Sequence, residues 1–542
     1  MDVNFININE NGLGMDNIDG KFLTGEELAE KIREVSIAEF FEKNRHLLGY
    51  ENPVKSLFTV VKEFVDNSID ACLEARILPT IKVLVKQVSE NRYRVKVEDN
   101  GPGIHPKKVP IAFGKFLVGS KFYRLRQSIG TQGIGAKGAI LYAQLTTGKP
   151  AKVETSTGND KIHYFELMID VLKNEPIILK HEVRENPKKW HGTKIEVIVE
   201  GRYIEKRQSI PEYLKLISIA NPYVTITFDG PNGVLKFKRV MPKLPKLPRE
   251  IKPHPYGVEL GRLKRMLKMT KSTTVLNFLM NEFSRVGRDS ALKICKLAKI
   301  DPKTDPHKLA HNQIEKLHKA MTMVKLLSPP MDCLSPINPN YLIEALKREY
   351  PNAEFFHAVI RKPTVYRGYP FQVEAAVVYG EELGLSSAKL IRLANHTPLL
   401  YNQSDCVITK SVMETNWRSY SVSQSEGSIP QAPMIILVDF LSVWIPYKSE
   451  GKEAIAQYPE ILKEIKLALQ ELGRNLKVFM NKKRREIEKK RKRQIFERYL
   501  PEVVSSIAKI TDKKEDQIKK MIENLLNKKF VEINNKTKGE EE

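Results

Sequence analysis

The sequence is poor in cysteine and contains no long hydrophobic run. Its four cysteines lie far apart among 542 residues, and no two of them form a C-x-x-C pair. A disulfide framework or a cysteine-ligated zinc site is therefore not expected, and this usage fits a reducing cytoplasm. The longest apolar stretch, residues 434–443, is interrupted by two polar residues, and no apolar segment opens the chain. Export and membrane spanning are not expected either.

Acidic residues are also in deficit. Lys and Arg number 89 against 65 Asp and Glu, so the formal net charge is +24. Such an excess of positive charge favours a polyanionic partner, most often nucleic acid, and it says nothing about the fold. The 41% of hydrophobic residues is enough for packed cores. The length predicts three or four domains at about 150 residues each.

One stretch, residues 61–71, concentrates acidic side chains on a predicted helix. Glu63, Asp66, Asn67 and Asp70 stand at i, i+3, i+4 and i+7, a spacing that places all four along one face. Most residues between them are apolar and predict a packing face on the opposite side. Three carboxylates beside an amide repel one another unless a cation such as Mg²⁺ joins them. The alternative is an amphipathic helix whose acidic side simply faces water.

Two glycine motifs follow this helix. Residues 99–103, Asp-Asn-Gly-Pro-Gly, come directly after a predicted strand. Glycines there let backbone approach a flat ligand, and the Asp99 carboxylate can accept a hydrogen bond from an exocyclic amine. Alone, this pattern is more often a plain turn. Residues 130–138 open a predicted helix and match neither the P-loop nor the dinucleotide-binding pattern, but their exposed N–H groups can hold phosphate. The basic stretch between the motifs, residues 107–126, is long enough to form a lid.

The remaining pattern alternates β-rich and helical regions. Residues 81–98 predict a β-hairpin and residues 152–199 predict four further strands, so residues 36–240 are expected to form a mostly antiparallel sheet covered on one face by helices. A proline-rich linker, residues 242–255, precedes a helical region. Four more strands are predicted after that region, and the rest is predicted to be helix. These strands are residues 355–360, 373–378, 406–413 and 434–445.

Four features, in this order, resemble the gyrase/histidine-kinase/MutL-type ATPase superfamily. They are the acidic helix, the D-x-G-x-G turn, the glycine-rich segment and Gly192-Thr193 on a later strand. The resemblance implies a Bergerat-type ATP site. In it, Glu63 activates the attacking water, Asn67 holds Mg²⁺ on the phosphates, Asp99 binds adenine and Thr193 supports the adenine site. The resemblance assigns further nucleotide contacts to Gly101, Gly103, Gly130, Thr131, Gln132, Gly133, Ile134, Gly135, Ala136 and Lys137.

Over residues 36–510 the chain also resembles the B subunits of type IIB DNA topoisomerases, the topoisomerase VI family. Ser120 and Lys121 match paired nucleotide contacts in the lid of that family. Lys452 matches the lysine that reaches the γ-phosphate. The other matching stretches are residues 285–292 in a helix-two-turns-helix domain, and residues 398–402, 417–420 and 451–456 in a transducer domain.

The fold class implied by this resemblance is an α+β multidomain chain with a long C-terminal helix. The expected domains are an N-terminal arm (1–35), an α/β sandwich ATPase domain of Bergerat type (36–245), a helix-two-turns-helix domain (246–328), an α/β transducer domain (329–480) and a basic helical C-terminal extension (481–542).

The implied function is that of an ATP-hydrolysing topoisomerase subunit. On binding ATP, two copies dimerise with crossed N-terminal arms and close a clamp on a double-stranded DNA. The captured duplex then passes through a double-strand break made by an A subunit within an A₂B₂ heterotetramer, which relaxes and decatenates DNA. ATP and Mg²⁺ are the expected cofactors, and a cytoplasmic, nucleoid-associated location is expected.

Rival functions share the ATP fold. A sensor histidine kinase needs a phosphoacceptor histidine on a preceding helix pair, and His46, the only histidine before Glu63, lacks the acid-Arg motif that should follow it. A chaperone of the same superfamily is disfavoured by the +24 charge and the helical insert. A DNA clamp that lost hydrolysis is disfavoured by the presence of Glu63, Asn67 and Lys452. An ATP-gated DNA-binding clamp without a topoisomerase partner of its own remains the alternative.

Overall fold

A computed structural model describes residues 35–119, 124–130, 133–205, 207–449, 451–511 and 514–525, together with Gly25 and Ala29. Nearly all of the predicted N-terminal arm lies outside this part of the chain. So do four of the predicted nucleotide contacts: Ser120, Lys121, Thr131 and Gln132.

The first half of the described chain is built on an eight-stranded sheet with the order β5-β4-β3-β6-β2-β1-β7-β8. Its strands are β1 (Thr80–Ser89), β2 (Arg92–Asp99), β3 (Ala151–Thr157), β4 (Lys161–Asp170), β5 (Glu175–Glu185), β6 (His191–Glu200), β7 (Thr225–Gly230) and β8 (Gly233–Phe237). All neighbours pair antiparallel except β1 and β7, which are parallel. The predicted hairpin is β1–β2, and the predicted mostly antiparallel sheet is present.

Helices pack against this sheet and share its hydrophobic core. They are α1 (Ile37–Lys43), α2 (Pro53–Glu74), α3 (Val109–Gly114), α4 (Gly135–Thr147) and α5 (Ile210–Ala220). Helix α2 begins where the Asn52 side chain accepts the backbone N–H of Lys55, and Pro53 occupies the first turn, where its missing N–H costs nothing. Its predicted apolar face is buried: Val61, Phe64, Val65, Ile69 and Cys72.

A separate helical unit follows the proline-rich linker. It consists of α6 (Leu260–Met269), α7 (Val275–Glu282), α8 (Arg288–Ala298) and α9 (His311–Met323). These helices enclose their own core, centred on Leu263, Phe278, Ile294 and Leu317. The unit therefore buries enough apolar surface to pack as a body of its own.

The second half contains a six-stranded sheet. Five of its strands have the order β10-β11-β14-β12-β13, and the sixth, β9, pairs with β11. Its elements are α10 (Pro339–Glu349), β9 (Phe355–Ile360), β10 (Thr364–Tyr366), β11 (Tyr369–Tyr379), β12 (Lys389–Ala394), β13 (Thr397–Pro398), α11 (Val407–Glu414), β14 (Met434–Ser442) and α12 (Pro459–Thr511).

The two central strands of this second sheet, β11 and β14, are buried on both faces. Ala376 and Val378 of β11 belong to the core of the first half, whereas Ala375 and Val377 belong to the core formed with α11 and α12. Because alternate residues of a strand point to opposite faces, the second sheet lies between the first half and α12. The long apolar run at residues 434–443 is thus a doubly covered strand.

Helix α12 is 53 residues long and runs through the predicted domain boundary at residue 480 without a break. Its buried residues lie mainly in its first third, from Ile461 to Leu476, where it covers the second sheet. Farther along, the basic run at residues 482–493 is mostly exposed. Residues 515–525 are also helical.

One predicted strand is wrong. Residues 406–413 form most of helix α11, whose buried residues include Val407, Ile408, Ser411 and Val412. The β-branched residues favoured a strand, but their i, i+1, i+4 and i+5 spacing buries one helical face, and burial outweighs the weak strand preference.

The described residues bear on the expectations for disulfides and membrane-spanning helices. All four cysteines are buried and free, so none forms a disulfide. Within the described ranges, no helix combines the length and apolar character that a membrane crossing requires.

Candidate active site

Three side chains of α2 face the glycine-rich segment. A Cβ atom on Gly135 would overlap the Glu63 carboxylate, so a larger residue there would displace Glu63 from this position. A Cβ on Gly130 would lie 3.5 Å from Asn67 Oδ1 and 3.6 Å from Asp70 Oδ2. The Gly130 backbone N–H donates to Asp70 Oδ2 at 3.4 Å. Oxygen atoms of Glu63, Asn67 and Asp70 therefore converge where the sequence predicts a phosphate site.

Asp66, at the edge of the same face, does not join them. Its carboxylate accepts hydrogen bonds from Tyr213 on α5 and from Lys62, the latter at 2.8 Å. At about 100° per residue, Asp66 lies at the edge of the four-residue face, where α5 covers it. It is buried there as a structural partner of Tyr213.

Two lysines set the charge of Glu63. Burial opposes ionisation of this carboxyl, but Lys62, at 3.3 Å, and Lys452 outweigh it, and the pKa of Glu63 falls below its ordinary value. Glu63 is therefore ionised at neutral pH and able to accept a proton.

Lys452 belongs to a loop in the second half of the chain, and its neighbour Glu453 attaches that loop to α2. The Glu453 carboxylate forms a salt bridge with Lys55 Nζ, in the first turn of α2, at 2.5 Å, and both side chains are almost buried. Lys55 also lies over the Tyr401 ring at 4.8 Å, and Asn402 donates to Glu453. The loop that carries Lys452 is thus held against the helix that carries Glu63.

The Asp99 carboxylate is held at the end of β2 by three donors. Its Oδ1 accepts the backbone N–H groups of Gly101 at 2.8 Å and Thr193 at 3.2 Å, and its Oδ2 accepts Ser68 Oγ at 3.1 Å. A carboxylate accepts about four hydrogen bonds, so one acceptor position is left for an amine. Burial raises the pKa of Asp99 in spite of these donors.

The D-x-G-x-G turn lies against β3. Gly103 has φ +69°, and a Cβ there would overlap the carbonyl oxygen of Ser156, so both conformation and space require glycine. Thr155 Oγ1 accepts the N–H of Ile104 at 2.9 Å and donates to the Gly192 carbonyl at 2.9 Å. The same hydroxyl lies 3.3 Å from Thr193 Oγ1, which joins the turn to the strand that carries Thr193.

Comparison with known proteins decides the family. Residues 329–492 match the family model "Topoisomerase VI B subunit, transducer", and residues 55–195 match "Histidine kinase-, DNA gyrase B-, and HSP90-like ATPase". The chain is 45% identical over 511 residues to the B subunit of type 2 DNA topoisomerase 6 of Archaeoglobus fulgidus, a match that covers 93% of this chain and 84% of that protein. The chain belongs to the family of topoisomerase VI B subunits.

Similarity to other members extends across most of both chains. The B subunit of Sulfurisphaera tokodaii is 40% identical over 530 residues, which cover 95% of this chain and 98% of the relative. The B subunit of Methanosarcina barkeri is 42% identical over 518 residues, covering 94% and 83% respectively. The transducer model covers the second sheet together with α10, α11 and α12 as far as residue 492, and the ATPase model lies within the first half. We call these two parts of the chain the transducer and the ATPase domain.

The Lys137 ammonium is bound by backbone carbonyls. It donates to the carbonyls of Val118 and of Gly133, the latter at 2.8 Å, and burial lowers its pKa to about 8. In this conformation it ties the lid to the start of α4. Its predicted contact with phosphate stays a prediction, as do those of Ile134 and Ala136, which pack beside the ATPase core.

Several side chains at the site carry no recognisable sequence pattern. Ser68 and Thr155 were not predicted, because a serine within a helix and a threonine within a strand are ordinary residues there. The sequence gives a weak indication that Lys62 pairs with a carboxylate, since it stands four residues before Asp66 and next to Glu63. Tertiary packing, which spacing cannot show, gives these residues their roles.

Proposed function

We propose that this chain is the ATP-binding and ATP-hydrolysing B subunit of a type IIB DNA topoisomerase. The carrying observation is the approach of two distant segments to Glu63: the glycine-rich segment at Gly135 and the transducer loop at Lys452. A basic carboxylate beside a phosphate cradle and a cation from another domain is what hydrolysis of a phosphoanhydride requires.

In the proposed reaction, the Glu63 carboxylate takes a proton from water as the water oxygen attacks the γ-phosphorus. The bond between that phosphorus and the bridging oxygen breaks, and ADP leaves with the electron pair. Lys452 lies opposite the developing negative charge and stabilises it. Asp99 uses its remaining acceptor position for the adenine amine, and Thr193 holds Asp99 in place.

The converging oxygen atoms of Glu63, Asn67 and Asp70 fit Mg²⁺, which prefers oxygen ligands. Asn67 Oδ1 is the protein ligand assigned by the family resemblance, and Asp70 Oδ2 stands at a similar distance from the Gly130 position. A bound Mg²⁺ supplies charge neutralisation on the phosphates. Asn67 would hold the ion, and Glu63 would serve as the proton acceptor.

ATP binding drives two copies into a clamp that captures a DNA duplex, in this proposal. The transducer and α12 then pass the movement to an A subunit, which cuts DNA, in an A₂B₂ assembly. The named relatives are B subunits, and a B subunit implies an A partner. The alternative, an ATP-gated DNA clamp without a topoisomerase partner, predicts ATP-dependent closure but no ATP-dependent strand passage when a family A subunit is supplied.

Substitution of Glu63 by Gln tests the site. The change keeps size and hydrogen bonding but removes the basic charge, so turnover should fall by about 10²–10⁴ while ATP binding survives. The control is Glu90→Gln, because Glu90 is exposed in the turn between β1 and β2. Steady-state hydrolysis and equilibrium nucleotide binding are the measurements. Turnover of Glu63→Gln near that of the unchanged protein would refute the assignment of Glu63 as base.

A further inference from the structure

The turn between β12 and β13 is a two-residue hairpin turn. It consists of Asn395 and His396, and both have positive φ, 48° and 63°. Positive φ at both central residues is typical of a tight hairpin turn, and asparagine and histidine adopt it more readily than most residues with a Cβ atom. Both side chains are buried.

Asn395 links the transducer to the ATPase domain. Its Nδ2 donates to the Ser128 carbonyl at 3.1 Å, two residues before Gly130, and to the Ser442 carbonyl at 2.9 Å. Its Oδ1 accepts the N–H of Ser442 at 2.9 Å. One buried side chain thus connects the end of β14 with the segment that leads into the phosphate cradle.

His396 anchors the turn through charge. Its Nδ1 donates to Asp439 Oδ2 at 2.7 Å, its Nε2 donates to the Ser335 carbonyl at 3.0 Å, and Glu374 Oε2 lies 3.8 Å from Nδ1. Donation from both ring nitrogens requires an imidazolium. Glu374 and Asp439 stand directly opposite each other on β11 and β14, so the cation also relieves their repulsion.

The ATPase domain contacts this turn at a second point, besides Ser128. Asn221, which ends α5, donates its Nδ2 to the His396 carbonyl at 2.9 Å. Ser335 also donates its backbone N–H to Gln127 Oε1 at 2.7 Å, next to Ser128. A cavity of about 80 Å³ is bordered by both Asp70 and His396. The turn and Asp70 of α2 therefore lie on the border of the same cavity.

We infer that the Asn395–His396 turn is a positioning element for the nucleotide site, by which the transducer holds residues 128–130 in front of the phosphates. It is a second link from the transducer to the site, separate from Lys452, which meets the nucleotide itself. The inference rests on the proposed ATP site. When the transducer moves, the turn carries the beginning of the phosphate cradle with it, so the position of the transducer changes the affinity for nucleotide.

The test compares Asn395→Ala with Asn352→Ala, a change at an exposed turn of the same domain. KM for ATP, kcat and the melting temperature are measured for each. Loss of the bond to Ser128 should raise KM roughly tenfold, about the worth of one hydrogen bond, with a smaller change in kcat. A role in folding alone would lower the melting temperature and leave KM unchanged. KM within twofold of that of the unchanged protein would overturn the inference.

His396 gives the second arm of the test. His396→Gln removes the cation between Asp439 and Glu374, whereas His396→Arg keeps one. The glutamine variant should raise KM like Asn395→Ala, and the arginine variant should return it to within about threefold of normal. Equal defects in both would contradict the role of the charge. A failed Glu63→Gln result would refute the ATP site instead, so the two failures are distinguishable.

Discussion

At the scale of single residues, Glu63 depends on two cations of different origin. Lys62 belongs to the same helix and stays beside Glu63 in any arrangement of the domains. Lys452 belongs to the transducer, and the Lys55–Glu453 ion pair holds its loop against α2. The carboxylate therefore has a constant partner and one that depends on the docking of another domain. Such a division suits a site whose activity reports the position of the transducer.

Lys452→Ala tests this division. In the proposed site, the change removes a cation that contacts the γ-phosphate when the transducer is docked, so hydrolysis and strand passage should fall by about 10²-fold or more. ADP has no γ-phosphate, so ADP affinity should stay within about threefold of normal. Lys477→Ala, at an exposed position on α12, is the matched control. An equal loss of ADP and ATP affinity would show that Lys452 holds the nucleotide as a whole and does not sense its γ-phosphate.

Helical periodicity predicted that Glu63, Asn67 and Asp70 share one face of α2, and the structure brings their oxygen atoms to the glycine-rich segment. Their roles toward a nucleotide stay predictions, and the close approach of Gly135 to Glu63 was not predicted. The burial of Asp66 was not predicted either, because the packing of α5 and Tyr213 selects which edge residue of α2 is covered. The roles of Ser68, Thr155 and Asn395 depend on contacts between distant segments, which periodicity does not encode.

At the scale of elements, the second sheet explains how one domain can influence another. Its central strands β11 and β14 contribute to the ATPase core on one face and to the α12 core on the other. A close-packed interior transmits displacement, because side chains cannot be compressed independently. The sequence predicted β14 as an apolar strand. It did not show which parts of the chain cover the two faces of β14, because a continuous apolar run does not say what packs on either face.

The charge cluster between these strands should make stability depend on pH. Burial opposes the charge of His396, but Asp439 and Glu374 outweigh it and raise its pKa to about 9. Burial and Asp439 also raise the pKa of Glu374 to about 8, although His396 opposes this rise. Tyr223 lies near both carboxylates, and Tyr447 lies near Asp439. A raised pKa means that the folded state binds the proton more tightly. The stabilisation from His396 is therefore complete below about pH 6.5 and is lost as pH rises through about 9, and that from Glu374 is complete below about pH 4.5 and is lost as pH rises through about 8.

Urea unfolding between about pH 6 and about pH 9.5 measures this loss, expected to be roughly 2–3 kcal/mol. His396→Arg is the comparison, because arginine keeps its charge throughout this interval. Its stability should fall less steeply than that of the unchanged protein. Parallel pH profiles for the two proteins would show that another group causes the pH dependence.

At the scale of the whole molecule, the +24 net charge predicts how DNA is held. The basic run on α12 is mostly exposed, and no base-reading motif is evident in the sequence. Binding should therefore be directed mainly to phosphates, and raising salt from about 50 to about 200 mM should weaken it by roughly 10²-fold or more. Fluorescence anisotropy with two unrelated duplexes measures both properties. Salt-insensitive affinity, or strong preference for one duplex, would contradict phosphate-directed binding.

The proposed ATP-dependent dimer also belongs to the scale of the whole molecule. Ser36 donates to the Val171 carbonyl, so the predicted arm joins the ATPase domain beside the connection from β4 to β5. Strand β5 is the edge of the sheet, and Ile177, Leu179 and Val183 on it are all exposed. An apolar sheet edge of this kind is a ready surface for association with a second chain.

Light scattering with a non-hydrolysable ATP analogue should therefore show a shift from monomer to dimer. Deletion of residues 1–35 should weaken that dimer by roughly tenfold or more, if the crossed arms supply even one or two kcal/mol of contact. ADP is the control, because it has no γ-phosphate for Lys452 to contact in the proposed site. An unchanged mass with the analogue would contradict the clamp. A dimer that the deletion leaves equally tight would confine the interface to the folded domains and exclude the crossed arms.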